Sequence, residues 1–185
     1  MSIVVYFDFT CRFANRMHLW LRDADVDVRW RPFSLLEANR DDDGRPVWER
    51  GEYADNISLL MLAGHELVQD AGGEADRYRA RVFAAWHGSD ERLDAGSVLR
   101  SMAAAGVDAD WSALAAGRRL LGDRHDDAVA RGVFGSPTIV FASGRGSFVR
   151  FRAVPSRADA PVVLDALRTL ADDAPELSHL EPLRH

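Results

Sequence analysis

The chain has 185 residues, 47% hydrophobic and 28% charged, a composition suited to one folded domain, or one domain with a sizeable insertion, rather than to disorder. Its net charge is -6 and its 23 basic side chains are all Arg, so its field disfavours nucleic acid and anionic membrane as partners. The absence of Lys also excludes Schiff-base chemistry and a phosphate-binding P-loop.

Met1-Ser2 leads directly into an apolar run, with no basic segment and no small-residue cleavage site. No apolar stretch approaches the ~20 residues that span a bilayer. Cys11, the single cysteine, cannot form an internal disulfide, so nothing requires an oxidising compartment. The expectation is a cytoplasmic protein.

Residues 3 to 7 (IVVYF) read as a strand buried on both faces. From Phe13, apolar residues recur at Met17, Trp20, Leu21 and Ala24, one face of an amphipathic helix. Val26, Val28 and Trp30 then alternate with charged residues, which predicts a strand over 26–31 that Pro32 ends or places near an edge. Residues 37 to 51 are polar and turn-rich; their Asp41–Asp43 run reads as a solvated loop, since no ligands at metal-site spacing accompany it. From about Tyr53 to Arg131 every periodic segment is helical, with breaks expected at Gly72-Gly73, Gly88 and Gly106. Strands resume at 138–142 and 147–152, joined by the Ser143–Gly146 turn as a β-hairpin. A last helix is expected to open at Ser156, with Asp159 three residues on and Pro161 in its first turn. The tail after Pro175 reads as polar and irregular.

This order, β-α-β, helices, β-β-α, is an α/β arrangement of thioredoxin type with helices inserted after the second strand. Residues 1–49 and 132–175 would form the discontinuous thioredoxin-like domain, 50–131 the helical insertion and 176–185 a tail. Cys11 would sit beyond the carboxyl end of the first strand, where open α/β sheets place ligands. The exposed N–H groups and dipole of a helix start stabilise a thiolate there. Against this stands the plain alternative that Cys11 is a small apolar residue. In "GVFGSPTIVF", residues 132–141, Ser136-Pro137 would face Cys11 if the 138–142 strand runs antiparallel to the first. A cis X-Pro bond there would turn the backbone polar groups of Ser136 toward a thiol-bearing ligand. His18 reads as core or surface, His87 as a surface or helix-capping residue with a cleft-lining position as the alternative, and Gly144-Arg145-Gly146 as a hairpin turn.

"FDFTCRFAN" and "GVFGSPTIVF" resemble the Phe-Asp-x-x-Cys-Pro-Phe/Trp-Cys and Gly-Val-x-Gly-x-Pro-Thr-x-x-Phe segments of the DsbA-like thioredoxin-fold proteins, whose Pro is cis. The likeness extends over roughly residues 3–172. It is nearest in character to the cytoplasmic branches: hydroxychromene-carboxylate isomerases with kappa-class glutathione transferases, and mycothiol-dependent reductases. The resemblance implies a nucleophilic Cys11 supported by Thr10 and Arg12, with Ser136 and Pro137 orienting a small thiol or its disulfide. Two departures matter: Arg12 replaces the family's Pro, and Ala14 stands where the resolving cysteine belongs. An intramolecular dithiol cycle is therefore closed to this chain. A monothiol oxidoreductase, with glutathione or mycothiol as thiol co-substrate and no metal, is the leading expectation. The alternatives are an isomerase or transferase, whose relatives carry Ser at the Cys11 position and use the cofactor's sulfur, and a non-catalytic binding module. Substrate and oligomeric state stay open.

Overall fold

The computed structural model describes residues 3–24, 26–41, 44–89 and 92–174. Strand β1 (Ile3–Phe7) turns into α1 (Arg12–Asp23), and β2 (Val28–Pro32) returns parallel to β1. After the short α2 (Leu35–Ala38) and two 3-10 turns come α3 (Ile57–Asp70), α4 (Ala75–Gly88), α5 (Ala95–Ala104), α6 (Trp111–Gly117) and α7 (Leu120–Ala130). The hairpin of β3 (Thr138–Val140) and β4 (Gly146–Phe148) follows, and then α8 (Ala160–Asp173). Among the described residues the sheet has the order β2-β1-β3-β4, with β3 antiparallel to β1. Every described element between 50 and 131 is helical. The Asp42-Asp43 part of the expected solvated loop and the tail beyond 174 lie outside the described residues.

Several boundaries move, each for a local reason. β2 begins at Val28 because β1 begins at Ile3, its partner in register. Pro32 is accommodated because β2 is an edge strand. The next N–H, that of Phe33, bonds Phe7 across the pair, so the proline nitrogen faces the free side. β3 stops at Val140 because Phe141 already accepts from Gly144 in the turn. β4 gives way once Val149 has donated to the Pro137 carbonyl; beyond it, Phe151 packs on Trp20 and bonds Arg16. The last helix starts at Ala160 rather than Ser156, because Pro161 fits only the first turn, where its missing N–H is no loss. Ser156 and Asp159 do pair, in the turn before it.

Helix α3 is the axis of the helical layer. Its residues 58–66 are all buried, and α4, α5, α6 and α7 pack around it. Phe7 and Phe9, at the end of β1, meet His65 and Phe83 from this layer; Phe9 and Phe83 ring centroids lie 4.8 Å apart. The buried His65 also sits in a polar chain. Arg79 can only donate, so His65 Nε2 accepts from it at 3.0 Å and the ring proton is on Nδ1, facing Glu66 at 3.3 Å. Glu66 in turn accepts from Arg124 at 2.6 Å. Helices and sheet thus lock directly beneath the Cys11 turn.

His18 is a core residue, as its spacing on α1 allows. It stacks on Phe83, and its Nε2 is buried without a partner. Burial, helped by Arg79, lowers its pKa to about 3. The unfolded chain therefore binds a proton near 6.5 that the native state refuses until about 3, so stability falls as pH drops through that window. Burial also lowers His65, His87 and His125, which act in the same sense. Asp8, raised by burial, acts in the opposite sense. Lowering the pH from 6.5 to 5 should remove about 1.6 kcal/mol through His18 alone. His18→Phe, measured by urea denaturation across pH, should flatten the profile by that amount; an unchanged slope would contradict a neutral, buried His18.

Candidate active site

The turn after β1 is organised by its first residue. Asp8 is fully buried, and its Oδ1 accepts from the Thr10 backbone N–H at 2.8 Å and the Thr10 hydroxyl at 2.7 Å. That is an Asx-turn, which bends the strand back toward a helix start. Oδ2 accepts from the Leu35 N–H at 2.8 Å, tying in the loop after β2, and the Ser58 hydroxyl approaches Oδ1 at 3.4 Å from α3. The Asp8 carbonyl accepts from Cys11 N–H at 3.1 Å, and the Asp8 N–H donates to the Ser136 hydroxyl at 2.8 Å. One residue thus joins four separate segments.

Cys11 is the N-cap residue of α1, buried, with extended backbone (φ -80, ψ 110). Its Sγ–H donates to the Ser136 carbonyl at 3.1 Å. The Ser136–Pro137 peptide bond is cis, and the antiparallel pairing of Tyr6 with Thr138 sets this loop beside the end of β1. The loop is fixed by Thr138 Oγ1, which donates to the Gly135 carbonyl at 2.8 Å. At Gly135 a side chain would meet the Phe148 ring at 2.9 Å, so glycine is required for this close approach. The residues singled out in the two motifs, 125 positions apart, are in contact.

The other singled-out residues lie as follows. Thr10 spends its hydroxyl on Asp8 rather than on the sulfur. Arg12 is exposed, with its guanidinium 4.9 Å over the Phe13 ring. Ala14 is wholly buried on the core side of α1. His87, half-buried in the last turn of α4, donates from Nε2 to the Phe9 carbonyl at 2.8 Å and anchors the Cys11 turn to α4. Asp8 acts here without having stood out in the sequence. For Asp8 the local Asp-x-Thr pattern signals the turn, but its bonds to residues 35, 58 and 136 have no local trace.

No family model and no curated protein matches the chain. Solved structures do. A probable DsbA oxidoreductase from Streptomyces coelicolor superposes with a TM-score of 0.62 at 17% identity, over 100% of this chain and 93% of that one. The cytosolic disulfide reductase DsbM from Pseudomonas aeruginosa gives 0.59 at 19% identity, over 92% and 100%. DsbA from Mycobacterium tuberculosis, in its reduced form, gives 0.56 at 14%, over 96% and 87%. The chain therefore has the DsbA-like thioredoxin fold. Among the described residues no helix is long and apolar enough to cross a membrane.

Asp8→Asn tests the organising role of the carboxylate. Whichever way the amide turns, its NH2 faces an N–H or O–H donor, so a buried pairing is lost at a cost of about 2–3 kcal/mol. Equilibrium unfolding in urea should show that loss. Wild-type stability in Asp8→Asn would mean the four hydrogen bonds do not hold the turn.

Proposed function

We propose that this protein is a DsbA-like thiol-disulfide oxidoreductase that works by a monothiol route with Cys11 as nucleophile. The observation that carries the reading is the Cys11 thiol at the α1 start, set against the Ser136 carbonyl beside the cis Pro137. The Cys11 thiolate attacks one sulfur of a small disulfide, forming a mixed disulfide and expelling the other half as a thiolate. The proton lost by Cys11 goes to solvent, and the leaving thiolate takes one up. A second, external thiol then attacks the adduct, releasing a new disulfide and regenerating Cys11. One disulfide is consumed and one is formed.

Attack requires the Sγ–H···O contact to open. This frees the Ser136 carbonyl to accept from a backbone N–H of the bound thiol, and Pro137 completes that wall. Ala14 offers no second sulfur, so release depends on solution thiol. Glutathione or mycothiol is the class of co-substrate, and the cytoplasm, where such thiols are kept reduced, is the proposed compartment. The fold likeness to the cytosolic reductase DsbM, one of whose structures was solved with GSH, supports both points.

Intact mass after treatment with glutathione disulfide should show one equivalent added at Cys11, stable until excess thiol is supplied. Ala14→Cys should shorten the adduct's lifetime at least ~10-fold, because displacement becomes intramolecular. Cys11→Ser should form no adduct. Turnover surviving in Cys11→Ser would contradict the monothiol route and favour an isomerase or transferase using the cofactor's own sulfur. Adduct formation without turnover on any disulfide would favour a binding module.

A further inference from the structure

The surface around Cys11 carries charge opposite to that of the molecule. Arg12, Arg16 and Arg150 all bring their guanidinium carbons against one ring, that of Phe13, at 4.9, 5.6 and 5.5 Å from its centroid. Arg150 also lies 4.7 Å over Phe148, whose ring is 5.4 Å from that of Phe134. Among the described residues none of these three arginines forms an ion pair with a carboxylate; Arg16 donates only to the Phe151 carbonyl, at 2.8 Å. Phe134 is 73% exposed, a large apolar side chain left in water.

This patch reaches the Ser136 loop in space: Arg150 spans Phe13 and Phe148, and Phe148 packs against Gly135, the residue before Ser136. Arg12 and Phe13 follow Cys11 in sequence, and Phe134 lies two residues before Ser136, whose carbonyl accepts from the Cys11 thiol. Phe148 is opposite Thr138 in register and closes on Gly135, while Val149 donates to the Pro137 carbonyl. The Ser136 loop that meets Cys11 is therefore tied, through Gly135, to a set of aromatic rings overlaid by guanidinium groups. Three like charges sharing one ring repel one another, and no acid of the described chain relieves them. In a chain of net charge -6, this arrangement favours a ligand that brings the anion itself.

We infer that the Arg12–Arg16–Arg150 cluster selects, for exchange at Cys11, small thiols and disulfides bearing carboxylate or phosphate groups over neutral ones. This rests on the monothiol reading and narrows it: glutathione-like thiols are preferred to an uncharged sugar thiol such as mycothiol. The acidic groups sit against the guanidinium groups, and the thiol's backbone lies along Phe13 and Phe148. The covalent step is unchanged: the Cys11 thiolate bonds to one sulfur and the anionic partner leaves as its thiolate.

The test compares disulfides that share a leaving sulfur but differ in charge. Adduct formation at Cys11 is timed by intact mass for glutathione disulfide and its tetraethyl ester. Each rate is divided by that of the same disulfide with a free cysteine peptide. Glutathione disulfide should be favoured about tenfold at low salt, with the advantage collapsing at 0.5 M NaCl and in Arg12→Gln/Arg150→Gln. Coenzyme A disulfide is the phosphate arm; an advantage for either anion supports the inference, and the larger one names the group. Equal normalised rates with adducts forming normally would overturn the anion selection and leave the monothiol reading intact. If no disulfide forms an adduct, the monothiol reading fails, and calorimetry with S-methylglutathione, which cannot exchange, still decides the cluster's role. Binding that is weakened in the double variant and absent for the S-methylglutathione diester supports it; no binding overturns it.

Discussion

The buried carboxylate of Asp8 is the constraint on which the site depends. A carboxylate out of water is costly unless its lone pairs are filled, and burial accordingly raises its pKa. Its oxygens are met by two N–H groups and the Thr10 hydroxyl at hydrogen-bond distance, with the Ser58 hydroxyl farther out. Those donors come from the turn itself, the loop after β2 and the start of α3. Its own backbone reaches Ser136 and Cys11. Displacing any one of these segments leaves a buried donor or acceptor unmet, so they hold position together. The distance between Cys11 Sγ and the Ser136 carbonyl is a consequence of that shared arrangement.

Much of the architecture was legible before the structure. The unbroken apolar run of β1 marks a strand inside a sheet, and the apolar stripes between residues 53 and 131 mark helices because nothing there repeats with period two. Boundaries were less legible because they are set by partners. Val28 starts β2 because of Ile3, Val140 ends β3 because of the turn at Phe141, and Ala160 starts α8 because Pro161 excludes an earlier beginning. In the site, Cys11, Ser136 and Pro137 could be read from the two motifs, since each motif is local. The work of Asp8 could not be read, because three of its partners are 27, 50 and 128 residues away. The bond made by His87 was equally hidden: its partner, the Phe9 carbonyl, is 78 positions distant and carries no side-chain signal.

Thr10 and Arg12 show a different limit. Both adjoin Cys11 in sequence, yet Thr10 turns inward to Asp8 and Arg12 outward over Phe13. Proximity along the chain does not set direction at a helix start. The arginines come together as a group only because α1 and the segment after β4 converge on Phe13, so a net negative protein gathers three guanidinium groups on one ring. Ala14 is wholly buried, and the chain has no second cysteine to stand beside Cys11. A site with one sulfur benefits from being rigid before the partner arrives, since ordering it on encounter would cost binding free energy.

That rigidity is directly measurable by amide hydrogen exchange. The N–H groups of Thr10, Cys11 and Leu35 lie outside the sheet ladder but are held by Asp8. They should exchange as slowly as the amides of β1, through global opening alone. Exchange at rates typical of exposed loops, with β1 still protected, would show that the buried carboxylate does not organise the site.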